Sequence, residues 1–353
     1  MSARVDRQRP SIVVVGGFLG SGKTSLILAA ARILEQRGLR SAVILNDQGR
    51  DLVDTRHAGQ HGLHSGEVTG GCFCCRLSAL QSVIEEMQAW SPDIIFAEPV
   101  GSCTDISATV LRPLREEFAR LKLAPFTVLV DPARAAALLR EDGDADMAFL
   151  FQKQLQEADL VCSTKADLYP DARAIRGVES RQLSALTGLG VSEWLDEVLF
   201  GHIEPGKTLL EIDYARYAQA EAALAWLNLS FSFEPAVPVS PALIAGPFLD
   251  ALDDAMTSAS VSLVHMKVFD NSATGWLKAA MCNNGDEPAV EGELDASPAK
   301  HHELLLNLRA RGSPGAVRQI VEEQLQQLTG RIFDLRLDCF SPAAPKPERR
   351  VTR

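Results

Sequence analysis

The sequence predicts an α/β fold, a doubly wound and mostly parallel sheet, with a smaller α+β domain after it. Three observations predict it. Apolar runs of strand length alternate with helix-period segments from residue 11 to about residue 200. A glycine-rich loop joins the first of those runs to the first helix. From about Tyr214 the alternation gives way to several strands with only a few helices among them.

The strands of the first domain are "SIVVV" (Ser11–Val15), "SAVILN" (Ser41–Asn46), "DIIFA" (Asp93–Ala97), "FTVLV" (Phe126–Val130) and "LVCST" (Leu160–Thr164), all apolar enough to be buried on both faces. "KTSLILAAARILEQRG" reads as a helix that stops at Gly38, and "LSALQSVIEEMQAW" as one that stops before Pro92. Two further helices fit Ile106–Arg120 and Ala145–Glu157. The division that follows is a flexible start over 1–10, the α/β domain over 11–200 and a linker over 201–213. An α+β domain over 214–340 and a Pro-rich, basic, disordered tail over 341–353 complete it. In the α+β part, "AEAALAWLNLSFSF", "SLVHMKVF", "GWLKAAMC" and "HELLLNLRA" supply strands. Helices are expected around Leu249–Met256 and over "GAVRQIVEEQLQQL", whose Val317, Ile320, Val321 and Leu325 follow core spacing.

Composition narrows the function. A formal net charge of -11 argues against general affinity for nucleic acid or anionic lipid, which both want a basic surface. No apolar run approaches a membrane span, and the polar start has no secretion-type stretch behind it, so a cytoplasmic location is expected. The cysteines number seven, and Cys103, Cys162, Cys282 and Cys339 are scattered, which is no disulfide framework.

"GFLGSGKT" (Gly17–Thr24) fits GxxxxGK(S/T) between a strand and a helix, the phosphate loop of the P-loop NTPase fold. Gly17, Gly20 and Gly22 let backbone N–H groups close around phosphates at a helix N-terminus, with Ser21 and Ser25 in the same turn. Lys23 is placed to neutralise the β and γ phosphates and Thr24 to ligate Mg²⁺. Thr164, Lys165 and Asp167 in "STKADL" follow the (N/T)KxD order. A carboxylate there can accept from guanine N1–H and the exocyclic amine, so GTP is favoured over ATP. Ser184 and Ala185 in "SALTG" stand where an SA element backs guanine. Glu98 at the end of its strand is expected in the Mg²⁺ shell or at the attacking water. Asp47 in "NDQG" ends a strand on the same side of the sheet.

"GGCFCCR" (Gly70–Arg76) puts Cys72, Cys74 and Cys75 into four positions. A C-x-x-C redox pattern is absent; packing thiols remain possible, and thiolates suited to Zn²⁺ or Co²⁺ fit best. His57, His61 and His64 lie upstream, with Gly59 and Gly62 expected to break any helix that would align them, and are read as a solvated loop or extra metal capture. Cys103, just after the Glu98 segment, is read as a small packed thiol, with an approach to the metal site as the alternative, and His301–His302 as a polar strand start.

"GGFLGSGKTS", "NDQG", "GGCFCC", "EPVG", "TKAD" and "SALTG", in this order, resemble the CobW-type metallochaperone GTPases, relatives of the nickel-insertion GTPases of urease and hydrogenase maturation. The resemblance covers about residues 11–200. It implies GTP hydrolysis with Mg²⁺, a transition metal held by the cysteine motif in a nucleotide-dependent way, and a client protein that receives it. By the same resemblance Cys74, Cys75 and Asp47 are the metal candidates. The chain departs from the family pattern where Asn-Glu-x-Gly is replaced at Asp47, and where Glu98-Pro99-Val100-Gly101 replaces Glu-Thr-(Ser/Thr)-Gly. No family motif is matched in residues 214–340. The competing expectations are a GTP switch with a structural zinc and a P-loop small-molecule kinase.

Overall fold

A computed structural model describes residues 9–49, 52–118, 120–172, 174–175 and 177–352. Most of the expected flexible start, residues 1–8, lies outside the described residues. The chain forms two compact units. One comprises the chain up to Gln48, Ala58–Ala220 and the segment from Ala344; the other comprises Gly49–His57 and Glu221–Ala343.

The first unit is built on β1 (Ser11–Gly17), α1 (Lys23–Gln36), β2 (Ser41–Asn46), the end of α2 (Val53–Gln60), β3 (His64–Val68), α3 (Leu77–Gln88) and β4 (Ile94–Glu98). One turn of π-helix (Ser107–Leu111) runs into α4 (Arg112–Glu117). There follow β5 (Lys122–Leu123), β6 (Thr127–Val130), α5 (Pro132–Leu138), α6 (Ala145–Glu157), β7 (Leu160–Ser163), the small hairpin β8 (Ala174–Ile175) and β9 (Val178–Glu179), β10 (Arg181–Gln182), α7 (Val191–Phe200) and α8 (Tyr214–Ala222). The strands join in the order β10-β7-β6-β1-β4-β2-β3, with β5 paired to β1, and every pairing in the sheet is parallel. All five apolar runs are strands. β1, β4, β6 and β7 are buried along their whole length, as a sheet covered on both faces requires.

The edge strand β3, "HSGEV", carries no apolar run, and only its pairing with β2 reveals it. The Gly59 expectation fails, because α2 runs through that residue to Gln60. A glycine inside a helix costs only about 1 kcal/mol, which neighbouring contacts outweigh. The segment read as a linker is held on this unit: the Asp159 carboxylate accepts from Gly206 N at 2.6 Å and Lys207 N at 3.0 Å.

The second unit is a six-stranded antiparallel sheet of β11 (Leu224–Pro235), β12 (Ser262–Ser272), β13 (Gly275–Met281), β14 (Ala289–Gly292), β15 (His302–Arg311) and β16 (Gly330–Phe340), in the order β14-β13-β12-β15-β11-β16. Helices α9 (Ala242–Ser258) and α10 (Pro314–Leu325) complete it. Phe248, Leu249, Leu252 and Met256 of α9 and Val317, Ile320, Val321 and Leu325 of α10 bury against Leu227, Leu229, Met266 and Leu306. Residues 49–57 join this unit for a stated reason: Val53 N donates to Asn307 Oδ1 at 2.9 Å, and Asp54 pairs with Lys267 at 2.6 Å. No described helix is long and apolar enough to cross a membrane.

Candidate functional site

Parallel strands aim their carboxyl ends, and hence their loops, at one side of the sheet, and the polar residues of the first unit gather there. β1 leaves the sheet at Gly17, where φ is +133° and a Cβ would run into the Leu129 carbonyl. The loop enters α1 through Gly22, with φ +88° and no side-chain cap, so the helix's first N–H groups are left for a ligand. Ser21 Oγ is buried with no hydrogen-bond partner, the kind of orphan donor a phosphate oxygen satisfies. Lys23, only 7% exposed, folds back to donate to Gly17 O at 3.1 Å and Phe18 O at 3.4 Å.

Thr24 Oγ1 donates to Glu98 Oε2 at 3.0 Å, and Lys23 Nζ stands 3.9 Å from Glu98 Oε1. Three predicted residues thus meet in one buried cluster, with a hydroxyl and a carboxylate fitted to share a Mg²⁺ shell. Across the sheet, Thr164 Oγ1 donates to Val130 O at 3.2 Å, and Lys165, at φ +54°, reaches Asp131 Oδ2 at 2.6 Å. The same Asp131 caps α5 by accepting from Ala133 N at 2.9 Å. Asp131 was missed; its signal is an Asp-Pro pair directly after an apolar strand. Ala166 N donates to Leu183 O at 3.0 Å, which ties the TKAD segment to the Ser184–Ala185 segment and leaves the Asp167 side chain exposed. Ser184 is buried, and its Oγ accepts from Thr187 N at 3.1 Å.

The cysteine loop is shaped by a residue for which the sequence suggested no role. Asn46, at the end of β2, donates through Nδ2 to Val68 O and to Gly71 O, each at 2.8 Å, and accepts from Phe73 N at 2.8 Å. Its neighbour Asp47 is fixed by its N–H to Val68 O at 3.2 Å. Cys72 and Cys74 are buried, with their sulfurs 2.9 Å apart, and Cys75 Sγ lies 3.6 Å from Cys74 Sγ. Among the thiols, Cys72, Cys74 and Cys103 form a group whose ligand atoms all lie within 4.8 Å of one another. It differs from the expected set by taking in Cys103 and leaving out Cys75 and Asp47. Hydrogen bonding with Cys103, then with Cys72 and Cys75, and burial hold the Cys74 thiol well above the usual range. The hydrogen bond with Cys72 is the main cause that pushes Cys75 up to about 11. A cluster of crowded, protonated thiols is what a divalent cation would convert to thiolates.

The loop after β4 carries Cys103 to this place and is fixed by buried polar groups. Gln154 Nε2 donates to Gly101 O and to Cys103 O, each at 2.9 Å. Glu157 accepts from Thr104 Oγ1 at 3.0 Å and Ser107 N at 3.1 Å, and burial pushes its carboxyl up to about 8. Asp105 accepts from Tyr214 Oη and Arg350 Nε, both at 2.7 Å.

Arg350 belongs to the segment expected to be a disordered tail, which the structure instead lays along the first unit. Lys346 N donates to Cys75 Sγ at 3.2 Å, Glu348 N to Cys74 O at 3.0 Å, and Ser78 N to Glu348 Oε2 at 2.7 Å. Arg349 pairs with Glu116 and Glu117. Backbone donors and ion pairs, not an apolar face, hold this segment, so hydrophobic patterning does not reveal it.

The predicted histidines take separate partners. His61 Nδ1 is 3.1 Å from Arg32 Nη2, and His64 stacks on Trp90 at 3.7 Å. His57 is buried within the second unit, with Nε2 3.0 Å from Glu291 Oε2 and Nδ1 3.1 Å from Lys278 Nζ. His302 does start a strand, β15, and there it is fully buried with Asp270, Nδ1 to Oδ1 3.0 Å.

Residues 11–188, half of the chain, match the model of the CobW/HypB/UreG nucleotide-binding domain. The zinc chaperone YjiA of Escherichia coli K12 is 27% identical over 171 residues, 47% of this chain and 52% of that protein. The zinc chaperone CobW of Pseudomonas aeruginosa is 29% identical, over 48% of this chain and 52% of that protein. The urease accessory protein UreG of Yersinia enterocolitica is 26% identical over 231 residues, 56% of this chain and 94% of that protein. The match to the two zinc chaperones thus spans about half of their length. The chain belongs to the CobW/HypB/UreG family, with its nucleotide-binding domain in the parallel-sheet unit.

Proposed function

We propose that this chain hydrolyses GTP to GDP and phosphate, and uses that cycle to hold and release a divalent transition metal, zinc or cobalt, for a client protein. The observation that carries the reading is a buried thiol cluster on the loops after β3 and β4, at the same carboxyl-end side of the sheet as the buried Lys23, Thr24 and Glu98 constellation. The relatives named as zinc chaperones and as a urease accessory protein support it.

Each residue has a task in this reading. Lys23 exchanges the Gly17 and Phe18 carbonyls for the β and γ phosphate oxygens, and the N–H groups at the start of α1 take part of the remaining phosphate charge. Thr24 Oγ1 and Glu98 are the groups that would hold Mg²⁺, which when bound would supply charge neutralisation at the transferring phosphoryl group. Asp167 accepts from guanine N1–H and its amine, with Thr164, Lys165, Ser184 and Ala185 shaping that pocket. Cys72, Cys74, Cys75 and Asp47 are the stations for the carried metal, with Asn46 setting the loop.

Competition titration of Zn²⁺ and Co²⁺ with GTP·Mg²⁺ or GDP·Mg²⁺ bound tests the reading. Linkage requires any preference to run both ways, so the metal must change GTP affinity by the same factor as GTP changes metal affinity. Expected is a difference of about fivefold or more between the two nucleotide states. Equal affinities would favour a second reading, a GTP switch with a permanent zinc, which the burial of Cys72, Cys74 and Cys103 also suits.

A further inference from the structure

Cys103 is the thiol that neither the C-x-C-C spacing nor the family pattern includes, yet its sulfur joins the cluster. Cys72, Cys74 and Cys103 are 7%, 1% and 3% exposed, and their sulfurs lie within 4.8 Å of one another. Tetrahedral zinc with metal–sulfur bonds of ~2.3 Å holds its sulfurs ~3.8 Å apart, so closing on an ion moves each pair by about 1 Å or less. Cys75 differs from these three. It is half-buried, and its sulfur accepts the Lys346 N–H.

The position of Cys103 in the chain matters as much as its sulfur. It follows Glu98 by five residues, and Glu98 is bound to Thr24 of the phosphate loop. Between them Gly101 presses on that same loop: a Cβ there would stand 3.0 Å from Leu19 N. Gln154 then clasps the carbonyls of Gly101 and Cys103 with one amide group. A displacement of Glu98 or Gly101 by Mg²⁺ or a γ phosphate is therefore passed to the Cys103 sulfur through a short, doubly tethered segment. The Cys72–Cys74 loop is held instead by Asn46 and, at Cys74 O, by Glu348 N.

We propose that Cys103 is a thiolate ligand of the carried metal, closing a three-sulfur site with Cys72 and Cys74, and the ligand through which bound nucleotide changes metal affinity. This rests on the carrier reading above. Cys75, at the exposed side of the cluster, is then the thiol at which metal enters and leaves, outside the inner three.

The test uses the full chain and its Cys103→Ser, Cys103→Ala, Cys75→Ser and Cys282→Ser variants, with Zn²⁺ competition and the sulfur-to-cobalt charge-transfer absorption of the Co²⁺ form. Retained GDP·Mg²⁺ binding reports that each variant is folded. With three thiolates reduced to two, both Cys103 variants are expected to lose about a third of the charge-transfer intensity and at least about tenfold in Zn²⁺ affinity. They should also bind zinc equally in the GTP and GDP states, while Cys282→Ser matches the parent chain throughout. Cys75→Ser should keep the nucleotide dependence. If Cys103→Ser and Cys103→Ala keep the parent's intensity and affinity while Cys75→Ser loses them, the three-sulfur site is wrong and the carrier reading stands. If the Cys103 variants bind zinc weakly yet keep the parent's GTP-to-GDP ratio, the coupling role is overturned. A parent chain that binds neither metal overturns the carrier reading and this inference together.

Discussion

Both sheets bury polar side chains, but they do so in different places and with different partners. In the parallel sheet, Lys23, Thr24, Glu98, Cys72 and Cys74 sit at carboxyl ends of strands or in the loops just beyond. Their partners there are backbone carbonyls and one another. In the antiparallel sheet, several buried polar groups sit within strands and pair across the ladder. His302 pairs with Asp270, Asn307 Nδ2 donates to Asn228 Oδ1 at 2.9 Å, and Arg309 donates to Leu227 O at 2.9 Å while lying 4.1 Å over the Trp226 ring. A polar group at an open strand end can trade its present partner for a ligand. One locked between strands can only be lost.

Substitution at one position in each unit exposes the contrast. Lys23→Ala should lower GTP turnover by on the order of a thousandfold, because the charge opposite the transferring phosphoryl group goes. Its effect on folding should be slight, since the amine now bonds only to loop carbonyls and Glu98. His302→Ala should do the reverse. It leaves Asp270 fully buried without its partner, at a cost of about 3 kcal/mol in urea unfolding, while GTP turnover per folded molecule is unchanged. A turnover defect in His302→Ala would break the distinction between the two sheets.

The same distinction explains what the sequence made legible. The parallel sheet announces itself because its strands are buried on both faces and read as continuous apolar runs, and because the phosphate loop needs glycine, lysine and threonine at fixed spacing. β3 was invisible because an edge strand needs no apolar run, and β16 because its exposed face interrupts the pattern with Arg331, Asp334, Arg336 and Asp338. Asn46 and Gln154 escaped because an amide that clasps backbone carbonyls across 25 or 53 residues leaves no local spacing. Cys103 was legible only as a thiol that packs or approaches the site, for a related reason: it meets Cys72 and Cys74 only after β3 and β4 pair on either side of β2. The segment after Ala344 was misread because composition reports the lack of an apolar face, not the backbone bonds that replace it.

The sharpest comparison is between His57 and Glu157, one buried group from each unit, because their contributions to stability should respond to pH in opposite directions. In the second unit burial holds the His57 pKa below 6.5, against the opposing hydrogen bond from Glu291. Between its folded pKa and 6.5 the folded chain binds fewer protons there than the unfolded chain, so this contribution is complete above pH 6.5 and lost as pH falls through the folded value. Glu291, held down to about 2 mainly by its hydrogen bond to His57, adds a loss of the same sign between pH 4.5 and about 2. In the first unit Glu157 is raised by burial from 4.5 to about 8, so its contribution is complete below pH 4.5 and lost as pH rises through about 8. In scanning calorimetry from pH 5.5 to 8.5 the His57 contribution should therefore move the transition of the second unit up, against the opposite contribution of His302, whose pKa Asp270 raises despite burial, and the Glu157 contribution should move that of the first unit down. His57→Gln should flatten the first trend and Glu157→Gln the second. If both transitions moved together in the parent chain and neither substitution changed a slope, the buried groups of the two sheets would share one electrostatic response, and the contrast between them would be lost.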